Sequence, residues 1–206
     1  MKKFVVLAGA AALAIGAAIA VSAPTSAQDN PKLEQLKEQG FARVAIANEP
    51  PYTAVAADGK VSGAAPDVAR EIFKRLGVPE IVASISEYGA MIPGLQAGRH
   101  DVVTAGLFMK PERCAAVVYS EPVLSINDLI KKANDPNLEV VAPVVGAPVY
   151  CDGAAFKKGD EALRDAFNVE LAKMKESGEF AKIIEPYGFS AAAAMSTSME
   201  KLCAAK

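Results

Sequence analysis

Tryptophan is absent from this chain of 206 residues, histidine occurs once and cysteine three times. Each scarcity excludes something. His100 stands without a cluster of other metal-binding side chains, and Cys114, Cys151 and Cys203 show no CxxC spacing, so neither a structural metal nor a cofactor is expected. A basic excess is missing too. The 22 lysines and arginines face 24 acids, a formal charge of −2, which argues against nucleic acid or anionic lipid as a partner. Beyond the amino terminus no apolar run is long enough to span a bilayer.

The amino terminus itself is informative. Lys2 and Lys3 precede a nearly pure apolar stretch from Phe4 to Val21, and "PTSA" supplies small residues before Gln28. That is the layout of a secretory signal peptide over 1–27, cleaved after Ala27, rather than of a retained anchor. The leader takes with it two lysines and no acids, so the mature chain carries a formal charge of −4. Its length suits one good-sized domain or two small ones. Export permits a disulfide. Cys151 and Cys203 are the candidate pair, pinning the carboxy-terminal tail beneath a returning strand, with Cys114 a buried thiol.

Pro31 to Gln39 reads as a leading helix closed by Gly40. A strand-like run, "ARVAIA" (42–47), leads into a loop or hairpin in which Asp58-Gly59 forms a tight turn. Pro66 and Asp67 open the next helix, where Val68, Ile72 and Leu76 recur every four residues and Gly77 ends the pattern. "IVASIS" (81–86) is a second strand, "YGAMIPGLQAG" (88–98) a second helix and "DVVTAG" (101–106) a third strand. Strand and helix alternate, which predicts an α/β layer with a mainly parallel sheet. After Ser125 the rhythm changes: "INDLIKKAN" reads as one helix and "LEVVAPVV" (138–145) as one strand. Asp160 is the expected cap of a long helix whose Leu163, Phe167, Leu171 and Met174 form one stripe, ending at Gly178.

Ligands of parallel α/β sheets sit at the carboxyl ends of strands, in the loops that follow. Glu49 and Tyr52 follow the first strand, Tyr88 the second, Phe108 and Arg113 the third. Singly, each has a plain structural reading: Phe108 as a core aromatic, Tyr52 as loop packing beside Pro50-Pro51, Tyr88 as an interfacial ring, Arg113 and Glu49 as solvated charges. Their joint placement points further, to a zwitterion. Arg113 would grip a carboxylate through paired charge-assisted bonds. Tyr52, Tyr88 and Phe108 would face a delocalised cation, each contact worth roughly 0.5–2 kcal/mol. Glu49 would accept N–H donors from it.

The segments "RVAIANEPPY", "DGKVSGAAPDVAREIFKRLG", "MIPGLQAGRHDVVTAGLFMKPERCAAVVYSEPV" and "DEALRDAFNVELAKMKESGEFAKIIEPYGF" together resemble the periplasmic solute-binding proteins of ABC importers, polar amino-acid type. The "NEPPY", "EYG" and "LFMKPERC" residues are most similar to its ectoine/hydroxyectoine-binding branch. The resemblance implies a type II periplasmic-binding-protein-like lobe and a periplasmic location. It implies delivery of the solute to an ABC permease and an aromatic cage of Tyr52, Tyr88 and Phe108, with Arg113 on the carboxylate and Glu49 near the ring nitrogens.

Members of this family have two lobes, yet the span from Ser125 to Cys151 is far too short to build a second one. We therefore expect lobe 1 over 28–125, a remnant of lobe 2 over 126–150, and the return helices and tail of lobe 1 over 151–206, with the second lobe largely deleted. A closed two-lobed clamp buries roughly 70–90% of a small ligand. One lobe leaves the opposite face wet, so affinity near about 1 mM is expected. The uncovered face also predicts self-association. Three other readings stay open: a polar amino acid as ligand, a sensory lobe that no longer serves transport, and an enzyme of the dehydratase kind. The last has only Glu49 as a pocket carboxylate and no nucleophile–base pair to assist it, so no enzymatic activity is expected.

Overall fold

A computed structural model describes residues 29–125 and 149–204. The proposed signal peptide and nearly all of the proposed lobe-2 remnant lie outside the described residues. Helix α1, Pro31–Gln39, starts where Asn30 Oδ1 accepts from the Leu33 amide at 3.0 Å and stops at Gly40 in the left-handed conformation. Strand β1, Phe41–Ile46, pairs in parallel over its whole length with β4, Glu80–Ile85, and through Val44 and Ala45 with β5, Val102–Val103. Between β1 and β4 lie the small hairpin β2, Ala54–Val55, with β3, Val61–Ser62, and helix α2, Ala64–Arg75. Helix α3, Tyr88–Gln96, joins β4 to β5. The one-turn helix α4, Pro111–Cys114, and strand β6, Val118–Tyr119, follow.

The chain returns through β7, Ala155–Phe156, which pairs antiparallel with both β5 and β6. The five-stranded order is β4-β1-β5-β7-β6, parallel on the β4 side, where pairing is longest. Helices α5, Glu161–Ser177, α6, Glu179–Ile184, α7, Ala191–Met195, and α8, Met199–Cys203, complete the described chain. Among the described residues no helix is long and apolar enough to cross a membrane.

Two apolar layers flank the sheet, as the alternation of a strand requires. Ala42, Val44 and Ile46 enter the layer shared with α1, α2, α5 and α6; Ala45 enters the other, with Met91, Leu95, Leu107 and Tyr119. The stripe read from the sequence, Leu163, Phe167, Leu171 and Met174, is the buried face of α5. A second face of α5 holds the outgoing chain by its backbone. Arg164 Nη1 donates to the Tyr119 carbonyl at 3.1 Å, the Glu121 amide to Asn168 Oδ1 at 2.8 Å, and Lys175 Nζ to the Pro122 carbonyl at 2.6 Å. Outgoing and returning segments then run side by side. The Val123 amide donates to the Asp152 carbonyl at 3.0 Å and the Asp152 amide to the Leu124 carbonyl at 2.9 Å, beyond which Ser125 bridges Cys151.

Three expectations are corrected. The third strand is two residues long rather than 101–106, because Asp101 turns its carboxylate to Arg43 and only a short stretch stays between β1 and β7. Asp160 stands at the start of α5 but makes no side-chain cap; Glu161 Oε2 instead accepts the Gly159 amide at 2.9 Å. The disulfide joins Cys114 to Cys203, not Cys151 to Cys203. Helix α8 docks beside α4, bringing those Cα atoms to 5.7 Å, while Cys151 is buried in the crossing segments.

Candidate functional site

The carboxyl ends of β1, β4 and β5 lie at one end of the sheet, and the loops leaving them carry Glu49, Tyr52, Tyr88, Phe108 and Arg113. The first loop is tied by its own polar groups. Asn48 Oδ1 accepts the Val55 amide at 2.8 Å, the Glu49 amide donates to Thr53 Oγ1 at 3.1 Å and the Thr53 amide to the Glu49 carbonyl at 3.0 Å. The Pro50–Pro51 bond inside it is cis. The result sets Glu49 outward, exposed, and Tyr52 inward, 6% exposed.

The segment after β5, Ala105–Phe108, is the hub on which the other loops converge. Tyr88 Oη lies 2.8 Å from the Ala105 carbonyl and 2.7 Å from Glu49 Oε2, so its single O–H is shared between two acceptors. The Tyr52 ring packs against Gly106, whose φ is +72° and where an added Cβ would stand 2.9 Å from the ring; glycine alone meets both demands. That ring meets Phe108 edge-on at 6.1 Å between centroids and leans on Phe189 at 5.0 Å. Arg113 Nη1 donates to the Phe108 carbonyl at 2.9 Å. Among the described residues Arg113 has no carboxylate partner, so its remaining N–H donors face no internal acid. The five side chains are thus linked through one loop rather than scattered.

Burial, and then the Glu49 carboxylate at hydrogen-bond distance, raise the Tyr88 hydroxyl well above its ordinary value. Tyr88 therefore remains a donor at any physiological pH. His100, placed against Ser84 and Gly94, is half-buried; its pKa is lowered by burial and then by the Arg43 and Arg99 charges. Among the described residues no group of His, Cys, Asp and Glu is placed to hold a metal ion.

One residue near the site escaped the sequence reading. Asp152 is 2% exposed on the returning segment, bridged to Phe108, and its Oδ1 accepts the Leu124 amide at 2.6 Å. Burial pushes its carboxyl up to about 7. Unfolded, an aspartate titrates near 3.9. Between about pH 4 and pH 7 the native chain holds the extra proton, so this group's contribution to stability falls as pH rises through that window. Asp152→Asn keeps the acceptor oxygen and removes the titration. Thermal melts from pH 4 to 8 should show a flatter profile for the variant and a higher melting temperature than wild type at pH 8. A wild-type slope retained in the variant would assign the effect elsewhere.

The sequence matches the model of the bacterial extracellular solute-binding proteins, family 3, over residues 42–190. A probable amino-acid ABC transporter periplasmic-binding protein, y4tE of Sinorhizobium fredii, is 42% identical over 109 residues, 51% of this chain and 36% of that protein. EhuB in complex with hydroxyectoine is a solved structure 59% identical in sequence, with a TM-score of 0.76 over 87% of this chain and 100% of that one. The arginine-bound form of domain 1 from TmArgBP is 27% identical, with a TM-score of 0.54 over 68% of this chain and 97% of that one. The match spans about a third of the length of y4tE and about half of that of the L-cystine-binding protein TcyJ of Escherichia coli. A family match covering most of the chain, on a mainly parallel α/β sheet with its loops gathered at one end, makes this chain a member of the bacterial extracellular solute-binding proteins of family 3.

Proposed function

We propose that this chain is the exported solute-binding component of an ABC importer for ectoine and hydroxyectoine, handing its solute to a permease without chemical change. The observation that carries the reading is the Ala105–Phe108 hub, where two half-buried rings, a guanidinium with no carboxylate partner among the described residues and an exposed carboxylate meet. In this reading Arg113 holds the carboxylate of the solute, Phe108 and Tyr88 face its delocalised cation, and Glu49 accepts from its ring nitrogens. Tyr52, with little exposed surface, acts chiefly by fixing the angle of Phe108. The likeness to EhuB, a hydroxyectoine complex, supports the choice of solute.

A polar amino acid is the second reading, favoured by the amino-acid transporter relative and by the arginine-bound domain 1. That domain, bound to arginine and matched over 97% of its own length, also supports occupancy of a single lobe. Calorimetry with ectoine, hydroxyectoine, glycine betaine, glutamine and arginine tests both readings. Ectoine or hydroxyectoine should bind most tightly, at about 1 mM for a one-sided site. Preference for glutamine or arginine would replace the solute and keep the class; no binding to any of the five would remove the transport reading.

A further inference from the structure

Helix α4 carries Arg113 but has little to hold it. It is a single turn with no buried residue and no side-chain cap. Isolated turns of this length do not persist in water. What fixes it comes from the far end of the chain. Cys114, the residue after Arg113, is joined to Cys203 in α8, 89 residues away in sequence. Helix α8 is itself anchored twice. Its first amide, Met199, donates to Glu121 Oε2 at 3.2 Å, and Met199, Leu202 and Cys203 pack on the apolar layer that contains Met91, Leu95 and Leu107. The tail therefore runs from the outgoing crossing segment at Glu121 to the turn that carries the arginine.

Successive residues on a helix point about 100° apart. Pinning Cys114 thus fixes the rotation of the turn, and with it the direction in which the Arg113 stem leaves. The bond from Nη1 to the Phe108 carbonyl orients the guanidinium only if the stem arrives from that direction. We propose that the Cys114–Cys203 disulfide is a positioning strap for Arg113, so that affinity for a carboxylate-bearing solute depends on the disulfide being closed. The proposal rests on the solute-binding reading above. Reduction by a thiol such as glutathione is balanced: two glutathione thiols give up two electrons and two protons, the S–S bond opens to two cysteine thiols, and oxidised glutathione is released.

Binding and disulfide state are then linked, and the linkage is reciprocal. Losing one of a pair of hydrogen bonds to a charged group corresponds to about tenfold or more in affinity. Ectoine titrations followed by NMR, reading the backbone amides of the Ala105–Phe108 loop, should show binding about tenfold weaker in the reduced wild type and in Cys203→Ser than in the oxidised wild type. Adding Cys203→Ser to Arg113→Lys should cause little further loss, since the fork it positions is already gone. A second measurement needs no variant: the full chain is equilibrated in glutathione redox buffers with and without saturating ectoine. Ectoine should shift the thiol–disulfide equilibrium toward the disulfide by the same factor of about ten. Unchanged affinity in folded Cys203→Ser, an equal loss in the Arg113→Lys background, or no shift of the redox equilibrium overturns the strap. Oxidised wild type that binds no ectoine overturns the choice of solute and the strap together, whereas binding without a redox shift overturns the strap alone.

Discussion

Replacing Arg113 with alanine should lower ectoine affinity by roughly 10- to 30-fold, while leaving the fold in place. The size follows from what the side chain does. One N–H is spent on the Phe108 carbonyl, and the rest of the fork is free of any described carboxylate. A hydrogen bond to a charged group is worth about 1.5–3 kcal/mol, and a one-sided site open to water, binding at about 1 mM, puts this one at the lower end. Arg113→Lys restores the charge but not the planar fork and should recover only part of the loss. Stability should move little, because Arg113 is only partly buried on a helix without a fully buried residue, and surface changes usually stay within about 0.5 kcal/mol. An NMR titration paired with thermal melts checks both halves. Alanine binding ectoine as well as wild type does would remove Arg113 from the site and with it the proposed recognition of a carboxylate.

The contrast between Arg113 and its neighbours explains what was legible in the sequence. Helix α5 announces itself because Leu163, Phe167, Leu171 and Met174 repeat with the helical period and the chain must bury that stripe somewhere. The gathering of Glu49, Tyr52, Tyr88, Phe108 and Arg113 follows from a rule of topology: parallel neighbours put their carboxyl ends together. Backbone roles leave no such trace. Nothing in the identity of Phe108 or Ala105 says that their carbonyls hold Arg113 and Tyr88. The cysteine pairing was equally hidden, since it depends on where a five-residue helix docks after the rest has folded. Asp152 was passed over for a related reason. A lone acid between Cys151 and Gly153 looks like a loop residue until two crossing segments close over it.

Asp101→Ala should cost the protein about 3 kcal/mol. Its carboxylate is 1% exposed and accepts four donors: Lys32 Nζ at 2.7 Å, the Arg43 amide at 2.8 Å, Arg43 Nε at 2.9 Å and Arg43 Nη2 at 2.8 Å. It therefore ties α1 and β1 to the segment that opens β5, the strand from which the hub emerges. Removing one partner of a buried pair costs about 3–5 kcal/mol. The Arg43 side chain is 39% exposed, so water softens the loss and the lower figure is the better one. For a chain of this size that is a fall in melting temperature of roughly 6–12 °C. The pH dependence carries its own sign. Burial alone would raise the Asp101 carboxyl, but the hydrogen bonds from Arg43 and Lys32 outweigh it and hold the group below its ordinary value. Its contribution is present above the unfolded value near 3.9 and disappears as pH falls through the native one. Asp152 works in the opposite direction, losing its contribution as pH rises from about 4 to about 7. The two buried carboxyls therefore bracket a shared optimum near pH 4, and each variant should remove one flank: Asp101→Asn the acid side, Asp152→Asn the neutral side. Melts of the two single variants and the double variant across pH 2 to 8 separate them. Identical profiles for the two single variants would mean that neither carboxyl governs the flank assigned to it.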